Sequence, residues 1–190
     1  ELVRQRSKKT TRVYNWPMFR GNITRTGYTP EVVLPPLQLR WRKRIGQWVI
    51  ASPVVANGVV FIGAGIDQGI DAGRISALVA STGEVLWEKT FNHELLHGGC
   101  VLNGKAAFFA VHNRIVALDA GSGDKLWQVE ARDRVSTSPV AWQNTVYYGT
   151  DDGSLVAAIA RTGRTIWEFS AELGISSSPL VWRDKVYVGS

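Results

Sequence analysis

Few residues in this chain have the chemistry of a catalytic or metal site, and their surroundings decide what each can do. His93-Glu94-Leu95-Leu96-His97 matches the H-E-x-x-H pattern, in which two imidazoles hold zinc and the glutamate acts as general base. That pattern works on a helix, where residues four apart share a face. On extended chain the same spacing separates the histidines by about 13 Å, too far for one metal. The residues around the motif read as the link between two strands, and His112 is the one other histidine, so no zinc site is expected. Gly63-Ala-Gly-Ile-Asp-Gln-Gly69 has the glycine content of a phosphate loop. No helix follows it, so the N-terminal dipole that would hold a phosphate is missing. A surface loop is expected there, and Gly65, Ile66, Asp67, Gln68 and Asp71 form a candidate binding loop. Asp67 and Asp71 supply only two carboxylates, against the six to eight oxygens that calcium takes. Cys100 is the single cysteine, which excludes an intrachain disulfide and any Cys-rich metal centre. It is expected to be a small buried apolar residue on an inner strand. No Ser-His-Asp or Cys-His arrangement stands out, so no catalytic residue, metal or cofactor is assigned.

Charge narrows the function classes further. The net charge is +6, but residues 1–46 carry eleven Lys/Arg against two acids, and residues 47–190 carry eleven against fourteen. The basic character belongs to the N-terminal stretch (Arg4, Arg6, Lys8, Lys9, Arg12, Arg20, Arg25) and to Arg40, Arg42, Lys43 and Arg44. The rest has no basic stripe, which disfavours nucleic-acid binding. Residues 1–15 read as a solvated, flexible basic leader, with proximity to a membrane or an acidic partner as its functional reading. No apolar run reaches the roughly 18 residues of a membrane-spanning helix. The chain begins at Glu1 without a signal-peptide pattern, so an address or anchor is expected to have been trimmed.

The elements that position these residues follow from an internal repeat. Trp87, Trp127 and Trp167 are spaced by 40 residues. A glycine lies four residues before each (Gly83, Gly123, Gly163) and an alanine ten before each (Ala77, Ala117, Ala157). Ser52-Pro53, Ser138-Pro139 and Ser178-Pro179 come eleven residues after Trp41, Trp127 and Trp167, whereas Trp87 is followed there by Gly98-Gly99. Trp41 precedes Trp87 by 46 residues, six more than the period. The excess lies between Gly63 and Gly73, where nine residues replace the Thr-Asp-Asp between Gly149 and Gly153. One lengthened loop is expected there, with the strands around it in register.

Within a repeat, short runs rich in Val, Ile, Tyr and Phe alternate with turns such as Asn57-Gly58, Asn103-Gly104 and Asp152-Gly153. Such turns suit tight hairpins, and the runs suit pleated, half-buried surfaces. Four antiparallel strands at a period near 40 give the blades of a β-propeller. One such sheet cannot cover both faces alone, so the blades must stack radially. The predicted fold is all-β, with about four blades of four antiparallel strands. Residues 16–38 form an N-terminal segment docking on the propeller, and residues 39–190 hold the blades. Three blades are complete, at 50–90, 98–130 and 137–170. Residues 39–45 give the outer strand of a preceding blade and 177–190 the inner two strands of a following one.

The three stretches Ala77–Trp87, Ala117–Trp127 and Ala157–Trp167 share the pattern Ala-x5-Gly-x3-Trp. A Val/Tyr-rich strand and Ser-Pro accompany it, and the whole closely resembles the PQQ-like (pyrroloquinoline-quinone-like) propeller repeat. Trp16-Pro-Met-Phe-Arg-Gly-Asn-Ile-Thr-Arg-Thr-Gly27 is similar to the segment that precedes such propellers. The resemblance implies that each tryptophan docks between blades, on the alanine of its own motif and the glycine of the next. The structural docking set is then Trp41, Ala77, Gly83, Trp87, Ala117, Gly123, Trp127, Ala157, Gly163 and Trp167. The family usually closes with seven or eight blades, so the chain is expected to be part of a larger propeller, completed by further sequence or by another chain. The resemblance points to the non-enzymatic branch, like the outer-membrane assembly lipoprotein. A non-catalytic scaffold for a protein or ligand partner is therefore expected, in the periplasm or at the cell surface. Two alternatives stand beside it. One is a fragment of a quinoprotein dehydrogenase using pyrroloquinoline quinone and calcium, whose adjacent cysteines this chain lacks. The other is a sensor or adhesin domain of a membrane-anchored protein.

Overall fold

Reversals that only a few residue types tolerate set the frame. In the computed structural model, which describes residues 15–29, 35–49, 51–67, 71–92, 94, 96 and 99–190, the first hairpin turn of each sheet takes positive φ. Asn57 (51°) with Gly58 (75°), Gly104 (62°), Gln143 (51°) and Arg183 (47°) with Asp184 (59°) supply it. Such turns match the twist of the strands they join.

The described residues form fourteen strands and no helix. The first sheet is β1 (Val54–Ala56), β2 (Val59–Asp67), β3 (Asp71–Val79) and β4 (Val85–Asn92), paired in that order. The second is β5 (Cys100–Asn103), β6 (Ala106–Val111), β7 (Arg114–Asp119) and β8 (Lys125–Glu130). The third is β9 (Val140–Trp142), β10 (Thr145–Gly149), β11 (Ser154–Ile159) and β12 (Thr165–Ser170). A two-stranded sheet, β13 (Leu180–Trp182) with β14 (Lys185–Tyr187), follows. Every pairing is antiparallel. The inner strands β1, β5, β9 and β13 succeed one another side by side. The fold is thus all-β, a partial propeller of about four blades.

Burial explains the sequence of the middle strands. In β6, β7, β10 and β11 nearly every residue is shielded, because a sheet lies on each face. They read as continuous apolar runs, not as alternation. Two cores result. One lies between the first and second sheets, around Ile75, Val111 and Val116. The other lies between the second and third, around Phe108, Ile115 and Tyr148.

The outer strands share a device. Ala77 faces Trp87 but Leu78 faces Val85, so Leu86 is an extra residue in a β-bulge. The same shift leaves out Leu126 and Ile166. These three side chains are about half exposed, at 50%, 52% and 53%. A bulge on an outer strand breaks the flat row of free backbone groups that would otherwise invite another strand to pair.

Two expectations are corrected. Residues 39–45 form no strand, because no third strand of their blade is present among the described residues to pair with them. The six-residue insertion is not a loop. β2 and β3 pair without interruption from Val59↔Val79 to Asp67↔Asp71, so Gly65, Ile66, Asp67 and Asp71 lie in strands.

Candidate functional site

The tryptophan docks follow from the repeat. Ala77, Ala117 and Ala157 stand directly across from Trp87, Trp127 and Trp167 and are fully buried, so a larger side chain would take the indole's place. An aromatic on the second strand flanks each indole on its own sheet: Phe61 at 6.0 Å, Phe108 at 5.6 Å and Tyr147 at 5.9 Å between centroids. On the far side each ring meets the next blade. Trp41 Nε1 donates to the Ala80 carbonyl at 2.9 Å, Trp87 Nε1 to Ala120 at 3.1 Å and Trp127 Nε1 to Ala160 at 3.0 Å. The rings lie over Gly83, Gly123 and Gly163, all at φ +74°. A Cβ at those glycines would meet the indole at 2.6, 2.6 and 2.7 Å. Glycine is thus required twice, for the backbone and for the ring.

Trp167 keeps the near side of the same arrangement, across from Ala157 and beside Tyr147. The tryptophan set is therefore a structural joint.

The inserted hairpin is the one break in the repeat. Counting from Phe61 and its equivalent Phe108, β2–β3 carries three more paired rungs than β6–β7, which closes at Val111↔Arg114. At about 3.3 Å per residue it projects about 10 Å farther. Its glycines are explained by crossing chains, not by a phosphate. Gly65 N donates to Trp48 O and Gln47 N to Gly65 O, both at 2.9 Å, so residues 46–48 pair along one edge. A Cβ on Gly46 would meet Gly65 O at 2.5 Å, and one on Gly65 would collide with the Trp48 indole. On the other strand, a Cβ on Gly73 would meet Glu94 O at 2.7 Å. Ile66 and Gly65 are buried, and Asp67 pairs with Asp71 at the end of the ladder. Gln68 lies outside the described residues.

The remaining chemistry-bearing groups are tied down. Cys100 is buried on β5, and burial pushes its thiol well above the usual range. Glu94 forms an ion pair with Arg114 in a shielded position. His93 and His97 lie outside the described residues, as do 1–14 of the leader. Among the described residues, no three His, Cys, Asp or Glu side chains gather as metal ligands would. Asp152 caps the turn before β11, and the Thr150 hydroxyl, with the Ser154 N–H, holds its carboxyl below the usual range. Arg134 pairs with Asp151 at 2.6 Å on the same turn.

Other working residues carried weak sequence signals. Trp48 sits outside the tryptophan register, and only its pairing shows that it supports the hairpin. Gly99 stands where the other inner strands have the serine of Ser-Pro, because Val101↔Phe108 matches Val140↔Tyr147; its N–H donates to Ser138 Oγ at 2.9 Å, and a Cβ there would stand 2.5 Å from that oxygen. Ser138 N in turn donates to Ser178 Oγ at 3.0 Å, linking successive inner strands through the Ser-Pro motif. Arg25, which the charge pattern assigns to the basic stretch, is buried at 7% exposure.

Comparison with known proteins places this architecture. No curated protein matches the sequence. Among solved structures, BamB from Moraxella catarrhalis is 25% identical with a TM-score of 0.63, over 74% of this chain and 43% of its own. A europium-containing methanol dehydrogenase is 18% identical with a TM-score of 0.68, over 83% of this chain and 32% of its own. The quinohemoprotein alcohol dehydrogenase of Comamonas testosteroni is 19% identical with a TM-score of 0.65, over 83% and 27%. The likeness to the two dehydrogenases is one of fold alone. This chain spans less than half the length of each of the three. The family profile described as outer membrane protein assembly factor BamB matches residues 37–106 and 71–190. With blades, docks and profile in agreement over residues 37–190, the chain belongs to the BamB family of PQQ-like propeller repeats.

Proposed function

We propose that this chain is a non-catalytic binding scaffold that works outside the cytoplasm and holds another protein of the apparatus that assembles outer-membrane proteins. The observation that carries the reading is the hairpin β2–β3. Trp87, Trp127 and Trp167 keep an interval of 40 residues, yet between Trp41 and Trp87 six more are spent on rungs that the second and third blades do without. A rigid frame with one projecting, well-supported hairpin suits recognition, since ordering it costs little on binding. Gly65 and Ile66 brace the hairpin from beneath, and Asp67, Gln68 and Asp71 are the contact residues.

The test replaces residues 64–72 by the Thr-Asp-Asp of the third blade, and in parallel places a photo-crosslinking residue at position 68. The shortened protein should keep its β-sheet circular dichroism and unfold cooperatively, at a lower urea concentration because the Gly65 pairing and the burial of Ile66 are lost. The crosslinker should capture a component of the assembly apparatus in cells, and the shortened protein should no longer co-purify with it. Undiminished co-purification of the shortened protein would reject the hairpin as the contact. Dye-linked alcohol oxidation by protein supplied with quinone and calcium would reject the non-catalytic reading.

A further inference from the structure

Residues 15–29 touch all four sheets, and they do so at one kind of place. Trp16 exchanges two backbone hydrogen bonds with Val55 of β1, at 2.5 and 2.8 Å. Pro17 O accepts from Leu102 N of β5 at 2.8 Å, and Ile23 O accepts from Val181 N of β13 at 3.3 Å. Arg25 reaches the third and fourth repeats together. Its Nε donates to Pro179 O at 2.6 Å and its Nη2 to Ser138 O at 3.5 Å. Met18, 5% exposed, sits in the core with Val101, Val140 and Val181, one residue from each of three successive inner strands. All these partners belong to the first strands of the sheets or to the Ser-Pro residues that precede them. The segment thus lies along the edge that the inner strands do not use within their own sheets.

We propose that the inner-strand edges form a peptide-binding groove, filled in cis by residues 15–29, which act as a clasp across the four sheets. The groove recognises a segment that pairs at Trp16 and then turns at residues 18–21 and 22–25, which sets an apolar side chain and an arginine seven residues apart. Three features make this recognition, not incidental packing. The two-way bridge at Trp16 and Val55 is strand pairing, which fixes register. The Met18 seat is an apolar pocket shared by three blades. Arg25 is the third. Its described acceptors are all carbonyls, with Phe19 O at 3.3 Å joining the two above, and no carboxylate. Its guanidinium also lies 5.2 Å from the Phe19 ring centroid. Burial, with Arg20 nearby, lowers its pKa to about 10, so it stays charged at neutral pH. A planar fork can reach carbonyls on two blades at once, whereas an ammonium on a single point cannot. The groove is independent of the hairpin and does not rest on the scaffold reading.

The test uses the full-length protein with a protease recognition site placed within residues 30–34. After cutting, the N-terminal fragment should stay with the body on size exclusion. A labelled peptide of residues 15–29 should exchange into the cut complex, while a scrambled peptide should not. Arg25→Gln in that peptide should weaken exchange about tenfold or more, the loss expected for charged hydrogen bonds. Immediate loss of the wild-type fragment, equal exchange by the scrambled peptide, or no effect of Arg25→Gln would overturn the proposal. The peptide measurements need no substitution in the body, so a failure to fold cannot mimic either result.

Discussion

Glycine at position 123 gives the most direct measure of what joins the blades. Its φ is +74°, and an added Cβ would lie 2.6, 2.8 and 3.0 Å from Cδ2, Cε3 and Cγ of Trp87. Gly104 is the matched control: its φ is +62° and nothing lies within 4 Å of an added Cβ. Gly104→Ala should therefore cost only the left-handed backbone penalty, about 1–2 kcal/mol. Gly123→Ala carries that penalty and also pushes the indole off its seat and away from the Ala120 carbonyl. Overpacking of this kind costs about 1–3 kcal/mol, so the total should reach about 2–5 kcal/mol. Trp87→Ala alone should cost about 3–5 kcal/mol, as other buried tryptophans do. The two changes must couple, because without the ring Gly123→Ala should fall back to the Gly104→Ala value. Urea unfolding of the three single variants and the Trp87/Gly123 double variant, followed by far-ultraviolet circular dichroism, reads this cycle. Equal losses for Gly123→Ala and Gly104→Ala, or additivity within about 0.5 kcal/mol in the double variant, would refute the docking argument.

Two further outcomes are expected. Tyr148 is pushed up to about 12, by burial first and Glu168 second. Its folded pKa exceeds the unfolded value near 10, so its contribution is complete below pH 10 and is lost as pH rises toward 12. Absorbance at 295 nm should show one late-titrating tyrosine that Tyr148→Phe removes. Finally, Cys100 should resist thiol reagents in the native protein and react at once in denaturant, as a buried thiol with a raised pKa does; rapid native labelling would place it at the surface.

Much of this architecture was legible because a propeller blade is a local object. Its strands pair with their sequence neighbours, and positive-φ turns separate them, so the period of 40 and the Asn-Gly and Thr-Gly signals carried the blade pattern. The docking tryptophans were legible for a related reason: the same joint recurs, and repetition exposes spacings that one copy would hide. Residues 39–45 were read as a strand because they carry a strand's pattern, but a strand exists only with a partner. The glycines at 63 and 65 read as a loop in the sequence because glycine serves both loops and close crossings, and their composition is the same in either case.

The amino-acid sequence by itself determined where each blade starts and which residues turn, since these depend on contacts a few residues apart and on a repeated period, while the resemblance to the PQQ-like repeat implied which tryptophans meet which glycines. Tertiary structure alone decided that the insertion stands as a braced hairpin and that Arg25 crosses to carbonyls 113 and 154 residues away. These contacts join segments outside the repeat's register. Their partners are backbone atoms, which every residue carries alike, so no spacing or residue type in the sequence marks them.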